Sequence, residues 1–101
     1  YRVDYFRGSA LTAVVGAISH PEQMGKYLVS GKNTCMTANK AGFKVDMKYY
    51  PGLFVELRRI AKEVPLSDTM QTAIYRIFRG DWEEAIEAID KLDSELNEQK
   101  L

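Results

Sequence analysis

Cysteine and histidine, the residues that build metal and nucleophile sites, occur once each in this sequence, as Cys35 and His20. A structural zinc site closes a tetrahedron from ligands of these types, so one chain cannot supply it, and no metal is expected. A lone cysteine forms no internal disulfide, which points to a reducing, cytoplasmic setting. Cys35 and His20 would serve as nucleophile and base only if the fold paired them. The plainer reading makes Cys35 a small buried hydrophobe and His20 an exposed residue in the first turn of a helix. Long apolar runs are missing too. The longest, Leu11 to Ile18, has eight residues, against about 20 needed to cross a bilayer, so no membrane association is expected. The glycines at 8, 16, 25, 31, 42, 52 and 80 never cluster, and neither a G-x-G-x-x-G loop nor a P-loop is present to cradle phosphate. The start of the chain lacks the apolar core and cleavage site of a signal peptide, so such a segment is expected to be absent or already removed. No catalytic residue can be named and no cofactor is expected; an enzyme is the least supported class.

Net charge is also lacking, since 14 Lys and Arg balance 14 Asp and Glu. The balance hides a division. Residues 1–79 hold twelve basic and six acidic side chains, and residues 80–101 hold two and eight, or +6 against −6. Such asymmetry suits an acidic helix docked on a basic surface of its own chain or of a second copy, or one that keeps nucleic acid away.

What the chain does contain is core-forming material, 46% hydrophobic residues in 101, enough for one soluble domain. Tyr1, Val3 and Tyr5 alternate with Arg2 and Asp4, which predicts a strand, with "RGSA" as a turn and the β-branched "LTAVVGAIS" as a second strand. Ser19 and Glu22 have capping-box spacing around Pro21 and predict a short helix ending at Gly31. "NTCMTANKAGFKVDMKYY" predicts a second hairpin, with a strand near residues 34–38, a turn at Asn39 to Gly42, and Phe43, Val45, Met47 and Tyr49 on one face of the last strand. After Pro51 the period lengthens. Leu53, Leu57, Ile60, Ala61 and Val64 predict an amphipathic helix stopped by Pro65. Ser67 is the expected N-cap of the next helix, with Met70, Ala73, Ile74, Ile77 and Phe78 inward and Gly80 as its left-handed terminator. Asp81 and Glu84 open a last helix with Trp82, Ala85, Ile86, Ile89, Leu92 and Leu96 on its apolar side, and Glu87, Lys91 and Glu95 spaced for ion pairs outside.

The expected fold is therefore α+β: a small antiparallel sheet of about four strands in two hairpins, covered on one face by C-terminal amphipathic helices. Residues 1–97 are read as one domain, strand-rich over 1–50 and helical over 52–97. The closing "NEQKL" matches the start of a common epitope tag, so residues 97–101 are read as a tag remnant or a frayed tail.

Three local resemblances bear on function. "LRRIAKEVPLSDTMQTAIYRIFR" resembles a helix-turn-helix, which implies a second helix presenting Gln71, Thr72, Tyr75, Arg76 and Arg79 to a groove. It departs from that pattern at Pro65, where glycine is common, and at Met70 and Ile74, which fall one residue early. A strand before two helices is similar to a ribbon-helix-helix, with Lys44 and Lys48 on the ribbon, but Asp46 would face the phosphates. "GDWEEAIEAIDKL" resembles one helix of a tetratricopeptide repeat, yet no repeat period accompanies it.

The functional expectation is a non-enzymatic protein-interaction or adaptor module acting as a homodimer. Its interface candidates are Tyr49, Tyr50, Phe54 and Val55, apolar surface beyond what one core face needs. The alternative is a nucleic-acid-binding regulator using Arg58, Arg59, Lys62, Arg76 and Arg79. A third possibility is a small ligand held between incompletely packed layers.

Overall fold

A computed structural model describes residues 2–45, 59 and 66–99, and among them every regular element is helical. α1 spans Arg2–Ser19, α2 Met24–Ala41, α3 Asp68–Arg79 and α4 Trp82–Gln99, with a 3-10 turn at Pro21–Gln23 between the first two. The α+β expectation is thereby corrected. Residues assigned to the first hairpin form α1, the strand near 34–38 lies inside α2, and Phe43 to Val45 are irregular backbone. The rest of the last predicted strand, and all but residue 59 of the helix predicted after Pro51, lie outside the described residues; residue 59 itself is helical.

The physical reason is visible in which side chains are buried. On α1, Val3, Arg7, Ala10, Leu11, Val14 and Ala17 face inward, steps of three and four that only a helix brings to one side. On α2 the inward set is Met24, Leu28, Gly31, Cys35 and Ala38, a regular alternation of four and three. Many of these residues are small, and that lets the two helices approach closely. A Cβ added at Gly31 would lie 3.3 Å from Ala13 Cβ and 3.7 Å from Val14 Cγ2. Gly31, expected to end a helix, is instead buried at the crossing. Ser19, expected to cap the following helix, closes α1. Pro21 does sit at the start of the 3-10 turn, where a missing N–H costs nothing.

The C-terminal half follows its sequence. Ser67 caps α3, its hydroxyl oxygen accepting from Met70 N–H at 3.2 Å. Gly80, with φ 75°, ends it, and the amides of Gly80 and Asp81 donate back to Ile77 and Arg76 in a Schellman arrangement. Gly42, with φ 71°, ends α2 the same way, at the place where the sequence predicted a turn. Ala73, Ile74, Ile77 and Phe78 on α3, with Trp82, Ala85, Ile89 and Leu92 on α4, are buried. Each large side chain so covered contributes about 1.5–3 kcal/mol.

α1 packs on α2 and α3, and α4 packs on α3 and α2, a four-membered ring of helices around one core. Direction follows from cross-contacts. Thr69 at the start of α3 donates to Glu95 Oε1 near the end of α4 at 2.8 Å, so those two are antiparallel. Lys32 meets Asp90 at 2.8 Å, and Trp82 Nε1 donates to the Phe43 carbonyl at 2.8 Å, so α2 and α4 are antiparallel as well. The end of α2 thus lies beside the start of α4, and α3 begins at the opposite end of the bundle.

Candidate interaction surface

Three groups of chemistry-bearing side chains stand out on this scaffold. The first is Arg7, a charged residue only 1% exposed. Its Nη1 donates to the carbonyl of Phe78 at 3.1 Å, and its guanidinium lies 5.1 Å from the centre of the Phe78 ring. Phe78 is in the last turn of α3, where carbonyls have no helical partner. Arg7 therefore ties α1 to that turn. Burial pulls its pKa below the ordinary arginine range, against the opposing pull of the Asp4 carboxylate one turn earlier. This is a structural use of charge, and residue-by-residue patterning missed it because an arginine at an inward position reads as a break in the apolar stripe.

The second group lies at the α3–α4 turn. Asp81 Oδ2 accepts from Arg76 Nη1 at 3.3 Å and stands 3.6 Å from Arg79 Nε. Arg79 Nη1 also donates to the Tyr75 hydroxyl at 2.8 Å, and both guanidinium groups lie within 6 Å of the Tyr75 ring, at 5.9 and 5.5 Å from its centre. Tyr75 first, and then Asp81, hold the Arg79 guanidinium above its ordinary pKa. An open cleft of about 440 Å³ borders the cluster, and Lys44, Arg79, Asp81, Glu83 and Glu84 are among the residues around it. Of the nucleic-acid candidates, Arg76 and Arg79 are brought together here, committed to one carboxylate. Arg59 is exposed, and Arg58 and Lys62 lie outside the described residues.

The third group is the outer face shared by α2 and α4. Lys26, Val29, Asn33, Met36 and Lys40 form an exposed line along α2, with Val29 60% and Met36 49% exposed. The whole of α2 carries no acidic residue. Beside it, α4 exposes Glu83, Glu87, Asp90 and Ser94, and the Lys32–Asp90 pair forms the seam between the two helices. Sequence reasoning found the charge division but not this face. Reading α2 as part helix and part strand put Val29 and Met36 on different elements, whereas one helix aligns them two turns apart. The interface candidates it did name, Tyr49, Tyr50, Phe54 and Val55, lie outside the described residues.

The remaining reactive side chains are set apart. Cys35 is fully buried, and burial pushes its thiol up to about 12. His20 is exposed beside Glu22 at 3.7 Å and stacks on Tyr27 with ring centres 6.1 Å apart. Cys35 follows it by fifteen positions, about three turns into α2, so the two sit at different levels of the bundle. Among the described residues no group of His, Cys, Asp and Glu is arranged to hold a metal, and no helix is long and apolar enough to cross a membrane.

No protein-family model matches the chain, and comparison with curated proteins and with solved structures found no similar chain.

Proposed function

We propose that this chain is a protein-interaction module that works as a homodimer, with no chemistry of its own. The observation that supports the reading is the uncovered apolar pair Val29 and Met36, more than half and nearly half exposed on one line of α2. A helix in a bundle this size normally turns such residues inward, and α2 already fills its inward side. Placed outward among lysines, they form the kind of mixed surface that protein partners cover.

Nucleic-acid binding gains less from the geometry. Arg76 and Arg79 share Asp81, and exposed Glu83, Glu84 and Glu87 stand on the adjoining helix. A phosphate backbone brought to α3 would meet these carboxylates. Small-ligand binding has the cleft at the α3–α4 turn, lined in part by Phe43, Val45 and Trp82, but that cleft is open to solvent and bordered by charges of both signs.

Sedimentation equilibrium across a dilution series tests the reading. A monomer–dimer equilibrium at micromolar concentrations is expected, together with no salt-sensitive binding to generic duplex DNA at low ionic strength. A chain that stays monomeric at every concentration, or that binds duplex DNA with a steep salt dependence, overturns it.

A further inference from the structure

We infer that the homodimer forms through the α2/α4 face, with α2 of each copy lying against α4 of the other about a two-fold axis parallel to the helices. The inference rests on the homodimer reading above and names its surface.

Along α2 the exposed residues are basic or neutral, with Lys26, Lys32 and Lys40 and no carboxylate. Along α4 the sequence WEEAIEAIDKLDSELNEQ carries seven acidic residues and one lysine. The two helices are neighbours in the ring, so one face of the bundle bears a basic stripe beside an acidic one. Two copies can place such faces together with a two-fold axis in only two simple ways. An axis across the helices sets α2 on α2 and α4 on α4, opposing like charges along both contacts, which is costly. An axis along the helices sets α2 on α4 twice, opposing unlike charges at both contacts. The charge pattern selects the second.

That axis also fixes the register, because rotation about it leaves every residue at its own height. Lys32 and Asp90 mark one level of the bundle within a chain, and α2 and α4 run in opposite directions from it. Lys40 then comes level with Glu83 of the partner subunit, Met36 with Glu87 of the partner subunit, and Val29 with Ser94 of the partner subunit. Met36 meets the methylene stem of the facing Glu87 of the partner subunit, Val29 meets a small serine, and Lys40 meets a carboxylate. Stems of long charged side chains cover apolar surface while their heads stay wet.

A charge swap tests the arrangement. Lys40→Glu and Glu83→Lys each change one exposed residue, and circular dichroism confirms that helix content is kept. Each variant alone is expected to dimerise at least tenfold more weakly than the parent chain, because two like-charge contacts replace two unlike ones. Mixed in equal amounts, they are expected to recover a heterodimer near the parent affinity, since both contacts in the mixed pair again oppose unlike charges. Met36→Glu, at a separate exposed site, is expected to weaken the dimer without rescue by either partner. If the parent chain dimerises but both swaps leave it unchanged, or the mixture stays monomeric, the face is wrong and the homodimer reading survives. A parent chain that never dimerises overturns both.

Discussion

Arg7 shows how one side chain can decide a helix end. It is buried, donates to the Phe78 carbonyl at 3.1 Å and lies against the Phe78 ring. Removing it leaves a carbonyl in the last turn of α3 without its donor and a void between α1 and α3. Arg7→Ala is expected to cost about 3 kcal/mol in urea unfolding, and Arg7→Lys to recover only part of it, since an ammonium has no planar face to lay on the ring. An unchanged midpoint for Arg7→Ala would show that the contact is idle. Cys35 makes a different residue-scale statement. Its pKa rises from 9.0 to about 12 because burial disfavours the thiolate. The folded state therefore favours the neutral thiol. That contribution is fully present below pH 9 and is lost as pH climbs from 9 toward 12. Thiol reagents at pH 8 should label the native chain far more slowly than the urea-unfolded one, and equal rates would contradict its burial. The two helix-ending glycines can be told apart by the same kind of measurement. Both have positive φ, but a Cβ at Gly42 meets nothing within 4 Å, whereas one at Gly80 would lie 2.5 Å from Val45 Cγ2. Gly42→Ala should cost about 1 kcal/mol for the backbone alone, and Gly80→Ala distinctly more. A Val45→Ala background should narrow the gap.

At the level of elements, the sequence was legible where local signals and inward residues agreed. α3 and α4 carry an N-cap serine, a terminating glycine and large apolar side chains at helical spacing, and the structure keeps all of these. Ser67→Ala is expected to cost about 1 kcal/mol through loss of the bond to Met70 N–H, and a change within error would demote that cap. One detail differed. Glu95, assigned to an outer ion-pair row, accepts instead from Thr69 across the α3–α4 contact. α1 and α2 were misread for a common reason: their inward positions are not the conspicuously apolar ones. On α1 a buried arginine breaks the stripe, while Tyr5 is 71% exposed, so Tyr1, Val3 and Tyr5 mimic a two-residue period. On α2 the inward residues include Gly31, Cys35 and Ala38, whereas Val29 and Met36 point out. β-Branched and polar residues then outweighed a four–three spacing carried by small side chains. Close helix packing needs those small residues, so the feature that makes the crossing possible also hid the helices. The candidate surface was lost with them, because a face appears only once its residues belong to one element.

For the whole molecule, the separation of +6 and −6 along the chain becomes a lateral arrangement, with basic α2 beside acidic α4. Within one chain the two are joined at their seam by Lys32 and Asp90, an exposed pair worth about 0–1 kcal/mol. The larger consequence of the charge pattern is between chains, where the α2/α4 face is complementary to itself. Dimerisation should weaken as salt rises from about 0.05 to 0.5 M, because its charged contacts lie at the rim of water; a salt-independent constant would mean that the apolar pair alone drives association. All of this depends on α2 being a single helix from Met24 to Ala41, for only then do Val29, Met36 and the lysines share a side. Backbone Cα chemical shifts across residues 24–41 test that most directly. An unbroken run of helical shifts through Gly31 and on to Ala41 is expected, and extended values at residues 34–38 would contradict it.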